Sequence, residues 1–253
     1  MASAFKLDSI DIITNDSSTQ AWGASVSGLG YTFHRRLVYQ TDSASGGSNK
    51  VHTYTKDTGV TAVMVYVTGG GGAGGANQDH ANYHGGNGAA GGTAIKFITA
   101  TTNDSTPTSF LNTTTVAVTV GQGGTCSSSQ AGGTDSAMVG GTSSFGTFCS
   151  ATGGTGGAKG GGIGTNVVGG VGSGGDINLT GQGGGSGDDT LLVMQTASGG
   201  NSFWGGGAYG AYEENGFAGT TGSGGSGADS TGGTGLGGAG GAGIVVVDEY
   251  KGG

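Results

Sequence analysis

Apolar and polar positions along this chain alternate in short runs, and no window repeats at the 3.6-residue spacing of an amphipathic helix. In residues 60–67, Val63, Val65 and Val67 fall on one face of an extended segment, with Met64 and Tyr66 on the other. That pattern predicts a strand with both faces at least partly covered. Residues 37–39, 51–55, 94–98 and 115–120 read as further strands, and Lys56-Asp57-Thr58-Gly59 reads as a turn. The most apolar run, residues 243–247, stands near the end of the chain, so it is expected to close a sheet begun far upstream, against the 60–67 strand. Together these elements predict an all-β fold, a β-sandwich of jelly-roll-like type, with essentially no α-helix.

Glycine changes that picture. Of 253 residues 65 are Gly, where an ordinary protein has roughly 7 %. A single Pro and interrupted Gly spacing exclude collagen, which needs continuous Gly-X-Y. With 33 % hydrophobic residues there are too few large side chains for a conventional core, so backbone hydrogen bonding must order much of the chain. The Gly tracts repeat as GGX: Gly153-Gly154-Thr155-Gly156-Gly157-Ala158 and Gly237-Gly238-Ala239-Gly240-Gly241-Ala242 are examples. A three-residue period matches an extended threefold helix, which leaves two edges bare of side chains and allows N–H and C=O to bond sideways. The expectation is a sandwich over about 37–120 and 243–250 carrying an inserted bundle of polyglycine II helices over about 150–242. Residues 1–36 form an N-terminal arm, and residues 37–253 the glycine-rich domain. A disordered Gly/Ser linker is the bland alternative; the Val, Ile, Phe and Trp inserted along the tracts speak against it.

The net charge is −8 and Arg35-Arg36 is the only basic pair, so no cluster suited to phosphate appears and no nucleic-acid partner is expected. No stretch approaches the ~20 apolar residues of a membrane helix, and the first 13 residues have no apolar leader segment. Cys126 and Cys149 are too few for a disulfide scaffold; they can pair, but small buried thiols are the commoner outcome.

Catalytic patterns are absent or weak. GxGxxG matches arise by chance in so Gly-rich a chain and none precedes a helix pattern; no GK[ST] follows a Gly run. His80 and His84 could share a face only on a helix, and the flanking Gly pairs argue for a contact loop instead, so no metal site and no cofactor are expected. Asp188-Asp189 and Glu213-Glu214 could form a glycosidase pair, but acidic pairs in polar loops are usually solvated. The candidate contact residues are therefore Asp79, His80, Tyr83, His84, Asp188, Asp189, Tyr209, Tyr212, Glu213, Glu214 and Asn215, polar and aromatic groups between Gly runs. Phe203 and Trp204 are expected to be structural, plugging an end of the bundle.

The run from Tyr54-Thr55 through Gly59-Val60 and 63–67 into Gly69-Gly70-Gly71-Gly72-Ala73-Gly74-Gly75 resembles the opening of glycine-rich domains in bacteriophage tail-fibre and tail-associated proteins. Val118-Thr119-Val120-Gly121-Gln122-Gly123-Gly124, Gly141-Thr142-Ser143-Ser144-Phe145-Gly146 and Gly240-Gly241-Ala242-Gly243-Ile244-Val245-Val246 resemble its later signatures. The likeness covers about 50–250 and is similar in kind to the polyglycine-helix adhesins at the fibre tips of T-even-like phages and to the glycine-rich ligand-binding region of anaplastic lymphoma kinase. It implies a virion protein, made in the host cytoplasm, that binds a host surface glycan or outer-membrane protein through loops on a rigid scaffold. Residues 1–36 lie outside the resemblance. They are expected to dock on other virion proteins, and a homotrimer is expected to bury the remaining apolar face. A purely structural head fibre or tail decoration is the alternative, an ice-binding protein a lesser one, and an enzyme the least favoured.

Overall fold

The computed structural model describes residues 4–7, 10–14, 30–41, 48–77, 84–99, 110, 114–127, 136–160, 167–185, 198–211, 214–229 and 235–252. Among the described residues twelve strands run in order: β1 (Ala4–Leu7), β2 (Ile10–Thr14), β3 (Thr32–Tyr39), β4 (Lys50–Thr55), β5 (Val60–Thr68), β6 (Thr93–Thr99), β7 (Thr115–Val120), β8 (Ser143–Phe145), β9 (Cys149–Ala151), β10 (Gly172–Ser173), β11 (Ile177–Leu179) and β12 (Ile244–Lys251). Among the described residues the only helical element is a single 3-10 turn, Ser136–Met138. β1 and β2 form a hairpin of their own; the other ten strands form two five-stranded antiparallel sheets, β11-β6-β5-β12-β3 and β10-β9-β8-β7-β4.

The two sheets share one core. Val63, Val65 and Val67 of β5, Ile98 of β6 and Val245 and Val247 of β12 meet Tyr54 of β4, Val116, Val118 and Val120 of β7 and Phe145 of β8. The period-two alternation read from the sequence is the inward face of each strand. As expected, the C-terminal strand pairs with the 60–67 run, Val245 opposite Val67 and Val247 opposite Val65. The β4–β5 connection is the turn the sequence marks, with Gly59 at φ 80°, a conformation that side-chain-bearing residues avoid. β3 begins at Thr32, so Arg35 and Arg36 belong to the sheet rather than to an arm ending at 36. Each lies opposite a carboxylate on β12, Arg35 opposite Glu249 and Arg36 opposite Asp248.

The glycine-rich tracts start earlier than the 150–242 block and run between the ends of the strands as one bonded lattice. Segments leave the sandwich at 69–77, 121–127, 152–160, 181–185, 206–211 and 223–229 and return at 84–92, 138–142, 167–170, 198–202, 214–220 and 235–243. Along 69–77 the donated bonds recur every third residue. Gly71 and Gly74 donate to Gly241 and Gly238, Gly72 and Gly75 to Ala89 and Gly86, and Gly70 and Ala73 to Gly141 and Met138. Carbonyls of the same segment accept from Gly154 and Gly157, from Gly225 and Ala228, and from Gly124, so backbone surrounds it on every side. The 85–92 and 223–228 segments are enclosed in the same way, and all three are buried. Such bonding satisfies backbone polar groups with almost no side-chain burial. In sequence 69–77 looks like a short Gly run after a strand; the partners brought to it from 86–92, 124 and 138–241 make it the centre.

Register gives the molecule two ends. β12 leaves the bundle at Ile244 and finishes at Lys251, and its antiparallel partner β3 begins beside that finish, Thr32 opposite Lys251. Gly30 and Gly252 therefore lie at the sheet end, while the outgoing segments finish at the opposite, distal end of the bundle.

Candidate functional site

The distal end gathers residues far apart in sequence. His84, where the chain re-enters the bundle after the first outgoing segment, places Nδ1 3.0 Å from Oδ1 of Asp229. The Asp229 backbone N–H donates to the Glu214 carbonyl at 3.0 Å, an isolated antiparallel bridge. Next along, the Asn215 side-chain oxygen accepts from Leu236 N–H at 2.8 Å, which ties the returning 214–220 segment to the last one. Tyr209 is 67 % exposed, and its ring lies 4.6 Å from that of Phe217 at 30°. Backbone lattice thus holds four of the candidate residues: His84 half-buried against the Asp229 carboxylate, Glu214 and Asn215 exposed at a segment end, and Tyr209 exposed on an aromatic partner. Asp79, His80, Tyr83, Asp188, Asp189, Tyr212 and Glu213 lie outside the described residues.

Asp229 and Phe217 are the members that sequence reasoning did not nominate as contacts. Asp229 is a lone acid after Gly227-Ala228, and only the three-residue lattice register aligns it with both His84 and Glu214. Phe203 and Trp204 lie at the sheet-side end of the bundle, partly exposed: both rings pack on Tyr66, and Trp204 Nε1 donates to Thr68 Oγ1 at 3.0 Å.

A second polar cluster sits at the sheet end. Glu249 is fully buried and receives Arg35 Nε and Nη2 together with the Tyr54 hydroxyl at 2.8 Å. Burial, followed by the hydrogen bond to Glu249, raises the Tyr54 hydroxyl well above its ordinary range. Asp57 accepts from His34 Nε2 at 2.7 Å, from Thr58 N–H at 2.8 Å and from Lys251 Nζ at 3.3 Å. Ligand atoms of His34, Asp57 and Glu249 lie within 4.8 Å of one another, a spacing a cation could bridge. Arg35 and Lys251 already supply the countercharge there, so the cluster acts as a clasp joining β3, the β4–β5 turn and β12.

The His34 hydrogen bond, then the Thr58 N–H, pull the Asp57 carboxyl from 3.8 down to about 2. A carboxyl depressed by folding stabilises fully above its unfolded value and loses that contribution as pH falls through the folded one. Asp57→Asn is therefore expected to lower the denaturation midpoint at neutral pH, with the gap to wild type closing between 3.8 and about 2. A gap that stays constant across an acid series of urea melts would show that Asp57 adds no charge-dependent stability.

Burial pushes the Cys149 thiol up to about 12, leaving it protonated at neutral pH. Cys126 and Cys149 form no disulfide.

No curated protein sequence matches the chain. Its strand–glycine–strand order does match a family model: residues 43–250, from before β4 to the last residues of β12, fit that of the glycine-rich domain, and the chain belongs to the glycine-rich domain family.

Proposed function

We propose that this protein is a bacteriophage tail-fibre or tail-tip component of the virion that binds a host cell-surface receptor with the distal end of its glycine-rich bundle. The supporting observation is the polarity of the molecule. Gly30 and Gly252 lie at the sheet end, and His84, Asp229, Glu214, Asn215 and Tyr209 at or toward the other. A stiff bonded lattice separates them, so a chain anchored by its sheet end presents the distal end outward. The lattice itself offers a partner little chemical variety, because its N–H and C=O groups are already paired; discrimination falls to the segment ends and the residues joining them. Exposed rings stack on sugar faces or apolar protein surface, and amides and carboxylates orient sugar hydroxyls, which suits a surface glycan or an outer-membrane protein.

The test is adsorption of the purified full chain to intact candidate hosts. Tyr209→Ala with Tyr212→Ala is expected to weaken it more than ~tenfold, about 1.4 kcal/mol or above. The fold should lose no more than about 1 kcal/mol, since Tyr209 is 67 % exposed. Unchanged adsorption by the folded double variant removes this pair from the contact surface. No adsorption by the wild-type chain to any host favours a purely structural virion component.

A further inference from the structure

The outer face of the β11-β6-β5-β12-β3 sheet, turned away from the core, is covered in only one half by described residues. Near the bundle, the 202–205 turn lays Phe203 and Trp204 over Tyr66. Toward the sheet end, four rings form an edge-to-face chain: Phe33 to Tyr250 at 6.1 Å, Tyr250 to Phe97 at 6.2 Å and Phe97 to Tyr31 at 5.4 Å. Phe33 is 55 % and Tyr31 43 % exposed. A contiguous aromatic patch of this kind on a soluble protein marks a surface meant to be covered.

We propose that the N-terminal hairpin of β1 and β2 covers this half of the sheet as a third layer. The direction of the backbone before β3 supports it. The Gly30 carbonyl lies so close to Gly252 that a Cβ there would stand 2.7 Å from it, and the Gly252 carbonyl in turn accepts from Thr61 Oγ1 of β5. Tyr31 then reaches Phe97 on β6, three strands across from β3. The chain preceding β3 thus comes in over the face rather than away from it. Reach is ample, because the fifteen residues between Thr14 and Gly30 span up to ~50 Å.

The N-terminal hairpin also has the pattern of a covering element. Its paired positions run Phe5 with Ile13, Lys6 with Asp11 and Leu7 with Ile10, apolar and charged pairs in alternation. A two-stranded ribbon is marginal in water without an apolar surface to lie on. Second copies, which a homotrimer would seat here, must be recruited from solution, whereas the tethered segment is present at an effective concentration in the ~mM range.

Hydroxyl-radical footprinting of the full chain, at low and at high concentration, tests the assignment, with sedimentation to give the mass. The expected result is a single-chain mass, weak oxidation of Tyr31, Phe33, Phe97 and Tyr250 at both concentrations, and a several-fold rise in Leu7→Asp with Ile13→Asp. Core rings Tyr54 and Phe145 should stay protected in that variant, which separates uncovering from unfolding. Protection that disappears on dilution gives the face to a second copy and overturns the proposal. Strong oxidation of the wild type at both concentrations also overturns it, because nothing then covers the face. Either result leaves the adsorption reading standing, since that depends on the distal end.

Discussion

Gly74→Ala is expected to abolish the folded bundle, although it adds one methyl group. The Cβ would stand 1.9 Å from the Ser226 carbonyl oxygen and 2.2 Å from its carbon, and both are backbone. Relief would require the 223–228 segment to move away. That segment is itself bonded to 85–92, 198–202, 214–220 and 235–243, so the displacement spreads through the lattice. Overpacking of an ordinary core costs about 1–3 kcal/mol because side chains can shift rotamers. Here the neighbours are main chain with no rotamers, and a loss above about 4 kcal/mol is expected, a fall in Tm of ~8–16 °C or more. Gly206→Ala is the matched control. Its nearest neighbour is the Asn201 Oδ1 at 3.8 Å, so it should be neutral or gain about 0.5 kcal/mol from a stiffer unfolded chain. Thermal melts of the two variants check the contrast; equal stabilities would mean that close backbone packing does not hold the bundle together.

Glu249→Ala is expected to cost about 3 kcal/mol, ~6–12 °C in Tm. The carboxylate is completely buried and accepts from Arg35 and from the Tyr54 hydroxyl, itself without exposure. Removing it leaves the Tyr54 hydroxyl in the core without its acceptor and Arg35 without its countercharge. The loss stays at the low end of the range for buried pairs because the Arg35 side chain is 41 % exposed and regains water. Glu249→Gln keeps an acceptor for Tyr54 and should lose about half as much. Combined with Tyr54→Phe, the Glu249→Ala penalty should shrink, as residues in one hydrogen-bonded network do not add. Additive losses in urea melts of the single and double variants would separate Tyr54 from the clasp.

The distal end was legible in the kinds of residue and not in their arrangement. Tyr209, Glu214, Asn215 and His84 stand out in sequence as aromatic and polar groups beside Gly runs. Their association through Asp229 depends on which segment returns next to which, and every Gly segment looks much like every other until its partners are known.

Local chemistry alone marked the longer strands. Val63, Val65 and Val67 share one face because successive residues of a pleated strand point to opposite sides, the run at 243–247 is too apolar to stay unpaired, and Gly59 marks a turn that only Gly enters cheaply. The GGX period likewise announced backbone packing in place of a side-chain core. Tertiary structure alone decided the rest. Three-residue strands such as Ser143–Phe145 and Cys149–Ala151 exist because a sheet edge was waiting for them, and they carry no pattern of their own. Arg35-Arg36 and Asp248-Glu249 are complementary in sequence, yet more than 200 residues separate them, and only the β3–β12 register turns that into two ion pairs on buried carboxylates. The 69–77 segment became the centre of the lattice for the same reason: a backbone without side chains encodes no partner, so its neighbours are chosen by the strands that deliver them.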